Sequence, residues 1–306
     1  MDVRLDVDLG PLRLKNPIVT ASGTFGYATE FEDFLDLERL GGVALKGLTL
    51  EPRAGNPPPR VAETPAGMLN AIGLENVGCR AFIDQKLPPL RALDTAVIAN
   101  ISGFSVEEYA EMAEMLSAAE GVDAIEINVS CPNIRTGGIA FGSRPEMISE
   151  ITRAVRAAAP GMPLLVKMSP NVTDIVEMAR AAVGGGADAL SITNTFLAMA
   201  IDAETRRPVL GNLTGGLSGP AIKPLALRMV WQVHRAMPEV PICGMGGIMT
   251  GTDAIEFLLA GATAVAVGTA SLITPSAAVD VLDGVTDHCR RHGVDNIRTL
   301  IGALET

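Results

Sequence analysis

Eight short runs of β-branched and aliphatic residues recur along the whole 306-residue chain, and they constrain the fold more than any other feature. They are IVTAS (18–22), VALKG (43–47), AVIAN (96–100), DAIEINV (123–129), PLLVKMS (163–169), ADALSIT (187–193), VPICG (240–244) and TAVAVG (263–268). Most intervals between them carry an amphipathic helical pattern. Alternation of buried strands with helices implies a parallel sheet, and eight such units imply closure into one (β/α)8 barrel. The competing arrangement is an open doubly wound sheet, but the first run lacks the G-x-G-x-x-G turn that a dinucleotide site there would use.

Local signals fill in the helices. Ser105 and Glu108 predict a capping box ahead of Tyr109, Met112, Ala113 and Leu116, with Gly121 closing the last turn. Ser143 and Glu146 repeat that pattern, and Thr252 is placed to cap a helix presenting Ile255, Leu258 and Leu259 and ending at Gly261. The opening RLDVDLGPLRLKNP (4–17) reads as a hairpin outside the barrel count, and the stretches 47–95 and 194–220 read as long functional loops.

With 48% hydrophobic residues the chain can bury a large core, and one α/β barrel accounts for all of its length as a single domain, 1–306. The net charge of -11 repels phosphate backbones and anionic lipid surfaces, which argues against nucleic-acid and membrane partners. MDVRLDVDLG lacks the basic start and apolar run of an export signal, so a cytoplasmic location is expected. The uncharged run 257–279 is interrupted by Gly261, Gly268 and Pro275 and reads as helix, turn, buried strand, turn rather than a membrane span. Cys79, Cys131, Cys243 and Cys289 are scattered without a C-x-x-C pair, so no metal or cluster site is expected on this chain and the thiols are expected to be reduced.

A barrel collects its chemistry where the strands end. Ser22 and Gly23 follow the first run, Lys46 and Gly47 end the second, Asn100 the third and Asn128 the fourth. Lys167 lies in the fifth, Thr193, Asn194 and Thr195 close the sixth, Gly246 and Gly247 follow the seventh, and Gly268 and Thr269 the eighth. Singly, each has an ordinary explanation: a strand-end Lys is usually a solvated charge, and a loop Asn a turn former. Together, three amides, two lysines and two glycine turns at one rim suit a planar ligand rich in amide groups, and a flavin ring is such a ligand. A fixed cation also stabilises the negative charge that reduction leaves near flavin N1 and O2. The glycine turns after strands seven and eight stand where barrels commonly hold a phosphate.

Cys131 follows the fourth strand directly. Most single cysteines are packing residues, but this one lies in the active-site loop region. His234, His288 and His292 fall in distant helical segments, which disfavours a Cys–His hydrolase and leaves proton acceptance as the chemical role. Strand parity puts Glu126 on the same face as Asn128, inside the barrel, where a carboxylate needs a partner; Lys46 or Lys167 is expected to supply it.

These residues sit in NVSCPN (128–133), NAIGLEN (70–76), VKMSPN (166–171), SITNT (191–195), GGLSGPAIKP (215–224), GMGGI (244–248) and VGTAS (267–271). In that order they resemble the class 1 dihydroorotate dehydrogenases over nearly the whole chain. The resemblance implies oxidation of dihydroorotate to orotate in pyrimidine synthesis, with Cys131 as the base and hydride passing to FMN. It implies substrate contacts at Lys46, Asn70, Ala71, Ile72, Gly73, Leu74, Asn128, Asn133, Asn194 and Thr195. FMN contacts are implied at Ser22, Lys46, Gly47, Asn100, Asn128, Lys167, Thr193, Gly219, Gly246, Gly247, Gly268 and Thr269, and catalytic roles at Cys131 and Lys46.

The stretch NIRTGGIAFGSRPE (133–146) is more similar to the NAD-linked class 1B catalytic subunit than to the fumarate-linked class 1A homodimer. That implies a homodimer of catalytic chains joined in a heterotetramer by an electron-transfer subunit bearing FAD and a [2Fe–2S] cluster. The competing readings are class 1A, a Schiff-base lyase using a strand-end lysine, and a non-catalytic barrel binding a phosphorylated ligand. A tRNA-directed flavin enzyme such as a dihydrouridine synthase is opposed by the charge of -11.

Overall fold

The computed structural model describes residues 3–129 and 141–305. Eight strands close in sequential order into a parallel barrel: β1 (Ile18–Thr20), β2 (Gly42–Ala44), β3 (Ala96–Ile101), β4 (Ala124–Asn128), β5 (Leu164–Lys167), β6 (Ala189–Ile192), β7 (Ile242–Met245) and β8 (Ala264–Val267). Each lies within or against one of the eight apolar runs, because an almost continuous buried run is what a strand covered on both faces requires. β4, β5, β6 and β8 are buried at every position.

Helices α1 (Val106–Ser117), α2 (Pro145–Ala158), α3 (Ile175–Gly184), α4 (Lys223–Ala236), α5 (Gly251–Leu259), α6 (Thr269–Ile273) and α7 (Ala277–His292) follow the strands and pack outside. α1 buries Tyr109, Met112, Ala113 and Leu116, the 3- and 4-residue spacing of one helical face. Its Ser105 side chain accepts from Glu108 N–H, but the Glu108 carboxylate accepts from Phe104 N–H rather than from the cap residue. The helix closes at Ala118, and Gly121 turns the chain three residues later with φ +96°.

Two cap assignments change. α2 starts at Pro145 with Arg144 at its N-cap and no side-chain cap bond, because a proline at the first position fixes the helical φ and needs no donor there. Thr250, not Thr252, caps α5: its hydroxyl accepts from Asp253 N–H while the Asp253 carboxylate accepts from Thr250 N–H. Gly251 sits against Gly284 of α7 at that point, an approach that a side chain would obstruct.

The N-terminal hairpin, Val7–Leu9 with Leu12–Leu14, forms its own two-stranded sheet. The two long loops are more ordered than their composition indicates. Val61–Thr64 and Gly67–Asn70 from the first pair with Phe196–Ala198 and Gly215–Ser218 from the second in one four-stranded antiparallel sheet. Asn70 stands opposite Gly216 in this sheet, which brings the 70–74 segment to the mouth formed by β4 and β6. No helix among the described residues is long and apolar enough to cross a membrane.

Candidate active site

At the C-terminal ends of the strands two clefts adjoin, sharing Asn194 and Thr195 in their walls. One is lined by Ser22, Lys167, Thr193, Gly219, Gly246, Gly247, Gly268 and Thr269, among others, and the second by Lys46, Gly47, Asn70, Ala71, Ile72, Gly73, Leu74 and Asn128. The first holds most of the residues expected to contact a cofactor, and the second holds residues expected to contact substrate together with Lys46, Gly47 and Asn128, which were also expected at the cofactor. Asn100 lines neither, lying beneath them at 1% exposure. Cys131 and Asn133 lie outside the described residues.

The floor is built from the barrel interior. Asn128, Lys167, Ser191 and Cys243 face one another in register across β4, β5, β6 and β7. Lys167 Nζ donates to Ser22 Oγ at 2.7 Å and stands 4.0 Å from Glu126 Oε2. Glu126 in turn accepts a 2.6 Å hydrogen bond from Asn100 Nδ2. Of the two partners expected for Glu126, the structure selects Lys167; the ammonium of Lys46 makes no ion pair with a described residue and faces the second cleft. Cys243 sits close enough to feel both charges: burial pushes its thiol far up, Glu126 adds to the rise and Lys167 opposes it. Burial thus favours its neutral thiol form.

The amides are held by one another and by backbone. Tyr109 Oη donates to the Asn128 carbonyl at 2.8 Å, Asn194 Nδ2 donates to Asn128 Oδ1 at 3.3 Å, and Asn194 Oδ1 accepts from Thr195 N–H at 2.8 Å. Asn171 reaches across to donate to the Thr195 carbonyl at 3.1 Å.

Opposite them, Asn56 clamps the 70–74 segment. Its N–H donates to Ile72 O and its Nδ2 to Ala71 O, both at 2.9 Å. Gly73 and Leu74 both have positive φ, +78° and +57°, so the chain curls there. Among the described residues no acceptor is paired with the N–H groups of Ile72, Gly73 or Leu74. Neighbouring N–H groups in such a curl form a concavity for an anion. Asn56 was missed from sequence; the signal, a residue fourteen or more positions upstream, has no local pattern.

At the other cleft Gly246 and Gly247 adopt φ +127° and +75°. A Cβ on Gly246 would stand 2.8 Å from Ala226 Cβ, and one on Gly247 2.9 Å from the Gly219 carbonyl, so these turns pack directly on the start of α4. Thr269 Oγ1 donates to Ser218 Oγ at 2.8 Å, fixing the turn after β8 to the accessory sheet. Ser218 was likewise not anticipated. Among the described residues no cluster of His, Cys, Asp or Glu is arranged to hold a metal ion.

The clefts therefore offer a cation on a buried floor, a set of oriented amides, a backbone concavity and two glycine turns. The family model for dihydroorotate dehydrogenase matches residues 4–288. The chain is 58% identical over 305 residues to the dihydroorotate dehydrogenase B (NAD(+)) catalytic subunit of Trichlorobacter lovleyi, covering 100% of both chains. It is 57% identical to the protein of the same name from Geotalea daltonii (98% of each chain) and 52% identical to that of Bacteroides fragilis (98% of this chain and 99% of the relative). With its barrel, its strand-end amides and lysines and this full-length similarity, the chain belongs to the dihydroorotate dehydrogenase family.

Proposed function

We propose that the protein is the catalytic subunit of an NAD-linked dihydroorotate dehydrogenase, oxidising dihydroorotate to orotate for pyrimidine synthesis in the cytoplasm. The observation that carries this reading is the adjacency of two differently built clefts, one floored by the Lys167–Ser22 pair and one walled by Lys46, the 70–74 concavity and Asn128. The names of relatives at 52–58% identity agree with it.

The residues of the first cleft fit FMN. Lys167 supplies fixed positive charge, Thr193 adds polar atoms with Asn100 buried beneath, and Gly246, Gly247, Gly268 and Thr269 supply backbone N–H groups for a phosphate. Gly47, at the wall of the second cleft, leaves room for the Asn100 amide, since a Cβ there would stand 2.8 Å from Asn100 Oδ1. When bound, FMN supplies the acceptor for the hydride leaving C6 of dihydroorotate. Cys131, three residues beyond the end of β4 in the sequence, takes the C5 proton. The N–H groups of Ile72, Gly73 and Leu74 and the Lys46 ammonium hold the substrate carboxylate, while Asn70, Asn128, Asn133, Asn194 and Thr195 orient its ring amides. Accessory-sheet pairing between Asn70 and Gly216 keeps both sides of this cleft in register.

The chain acts as one FMN-binding barrel, dimerises, and passes electrons to NAD through a partner subunit carrying FAD and a [2Fe–2S] cluster. The test is to purify the chain, record its visible spectrum and add dihydroorotate without oxygen, then offer NAD and fumarate. A yellow protein that dihydroorotate bleaches, but that reduces neither acceptor until the partner is added, is the expected result. Fumarate turnover by the chain alone would overturn the NAD-linked assignment, and a colourless chain that cannot bind added FMN would overturn the flavin reading.

A further inference from the structure

Among the described residues Glu126 is the one buried carboxylate of the barrel floor, 2% exposed, and it adjoins two of the residues assigned to FMN without lining either cleft. A carboxylate offers only acceptors, so its 2.6 Å contact with Asn100 forces the Asn100 NH2 group toward it. Asn100 Oδ1 then faces Gly47 at the wall of the second cleft, where a Cβ would meet it at 2.8 Å. On its other side the same Oε2 stands 4.0 Å from Lys167 Nζ. At 5% exposure Lys167 is only weakly screened by solvent ions, so the carboxylate lowers the charge felt above the floor.

We infer that Glu126 is a positioning residue: holding the Asn100 amide with its oxygen toward Gly47, it attenuates the Lys167 charge that tunes the flavin. This rests on the FMN reading. The sign follows from electrostatics: removing the carboxylate leaves Lys167 uncompensated, which favours the more negative, reduced form of FMN.

The experiment is Glu126→Gln. Glutamine keeps an acceptor for Asn100 and the side-chain shape but removes the charge. FMN is titrated into apoprotein of the parent and the variant, in oxidised and in reduced form, and the midpoint potential is measured. The expected result is about a tenfold gain in affinity for reduced relative to oxidised FMN, a positive shift of about 30 mV for a two-electron couple. An unchanged potential with normal FMN binding overturns the inference while leaving the flavin reading intact; a parent chain that binds no FMN at all removes the reading beneath it.

If the unpaired lysine prevents the variant from folding, the doubly neutral Glu126→Gln/Lys167→Met chain is compared by thermal unfolding. Recovery of folding in the double variant supports the pairing, because no uncompensated charge is then buried. Failure of both overturns it.

Discussion

The two ends of the barrel invert the usual association between cavity size and function. Under the N-terminal hairpin lies a cavity of about 680 Å³ lined by Arg4, Arg13, Lys15, Asp6, Asp94 and Asp123, among others. The clefts at the C-terminal end measure only about 80 and 140 Å³. Yet most of the charges below are solvated and paired with one another: Lys15 pairs with Asp94 at 3.0 Å, and their side chains are 34% and 91% exposed. Above, the Lys167 and Glu126 side chains are 6% and 3% exposed. A surface pair in water contributes about 0–1 kcal/mol, whereas a buried charge is strongly felt by anything bound beside it. Burial of charge, not volume, separates the proposed reactive end from the supporting end.

The largest effect that sharpens this contrast belongs to Cys131→Ser. An alcohol yields far less of its conjugate base than a thiol near neutral pH, so rapid-mixing traces should record flavin reduction slowed by about 10²- to 10⁴-fold while FMN and orotate still bind. Undiminished reduction would remove Cys131 from the mechanism. Next, Lys167→Ala should lower turnover by about 10²- to 10³-fold and loosen FMN, read by flavin retention on gel filtration. A variant that holds FMN and turns over normally would break the account of the buried floor.

At the other end Lys15→Ala should leave kcat and KM unchanged and shift stability in urea by no more than about 1 kcal/mol. A large kinetic effect there would dissolve the distinction between the two ends. The smallest effect is a pH dependence of the hairpin. Hydrogen bonding from Arg4, with a further contribution from Arg298, holds the Asp6 carboxyl well below its ordinary value of 3.8. A lowered pKa in the folded state means that the contribution is complete above 3.8 and is lost as pH falls from there through the folded value. Protection of the hairpin amides, taken relative to the intrinsic exchange rate at each pH, should fall over that acidic window and stay flat between pH 5 and 8; a change of protection in the neutral range would contradict the assignment.

The barrel was legible because each strand is an almost continuous apolar run, a signal that survives without knowledge of its neighbours. Its rim was legible for a related reason: closure forces all strand ends together, so Lys46, Asn128 and Asn194 had to converge. Strand parity placed Glu126 in the interior and left two candidate lysines, between which only three-dimensional distances decide. The cap errors arose where two local signals compete. Pro145 at the first helical position displaces Ser143 from the cap of α2, and Thr250 with Asp253 starts α5 two residues before Thr252. The accessory sheet was hidden because its pairing joins Asn70 to Gly216 across 146 residues, and short strands with no apolar alternation announce no partner. The same separation hid Asn56 and Ser218, whose importance is what they hold in place.

The most direct test of the central claim is amide hydrogen exchange on the FMN-loaded chain before and after addition of orotate. New protection at 70–74 and 193–195, with 4–15 and 93–96 unchanged, is the predicted result. Protection confined to 4–15 and 93–96 would place the ligand in the large cavity beneath the hairpin and contradict the account.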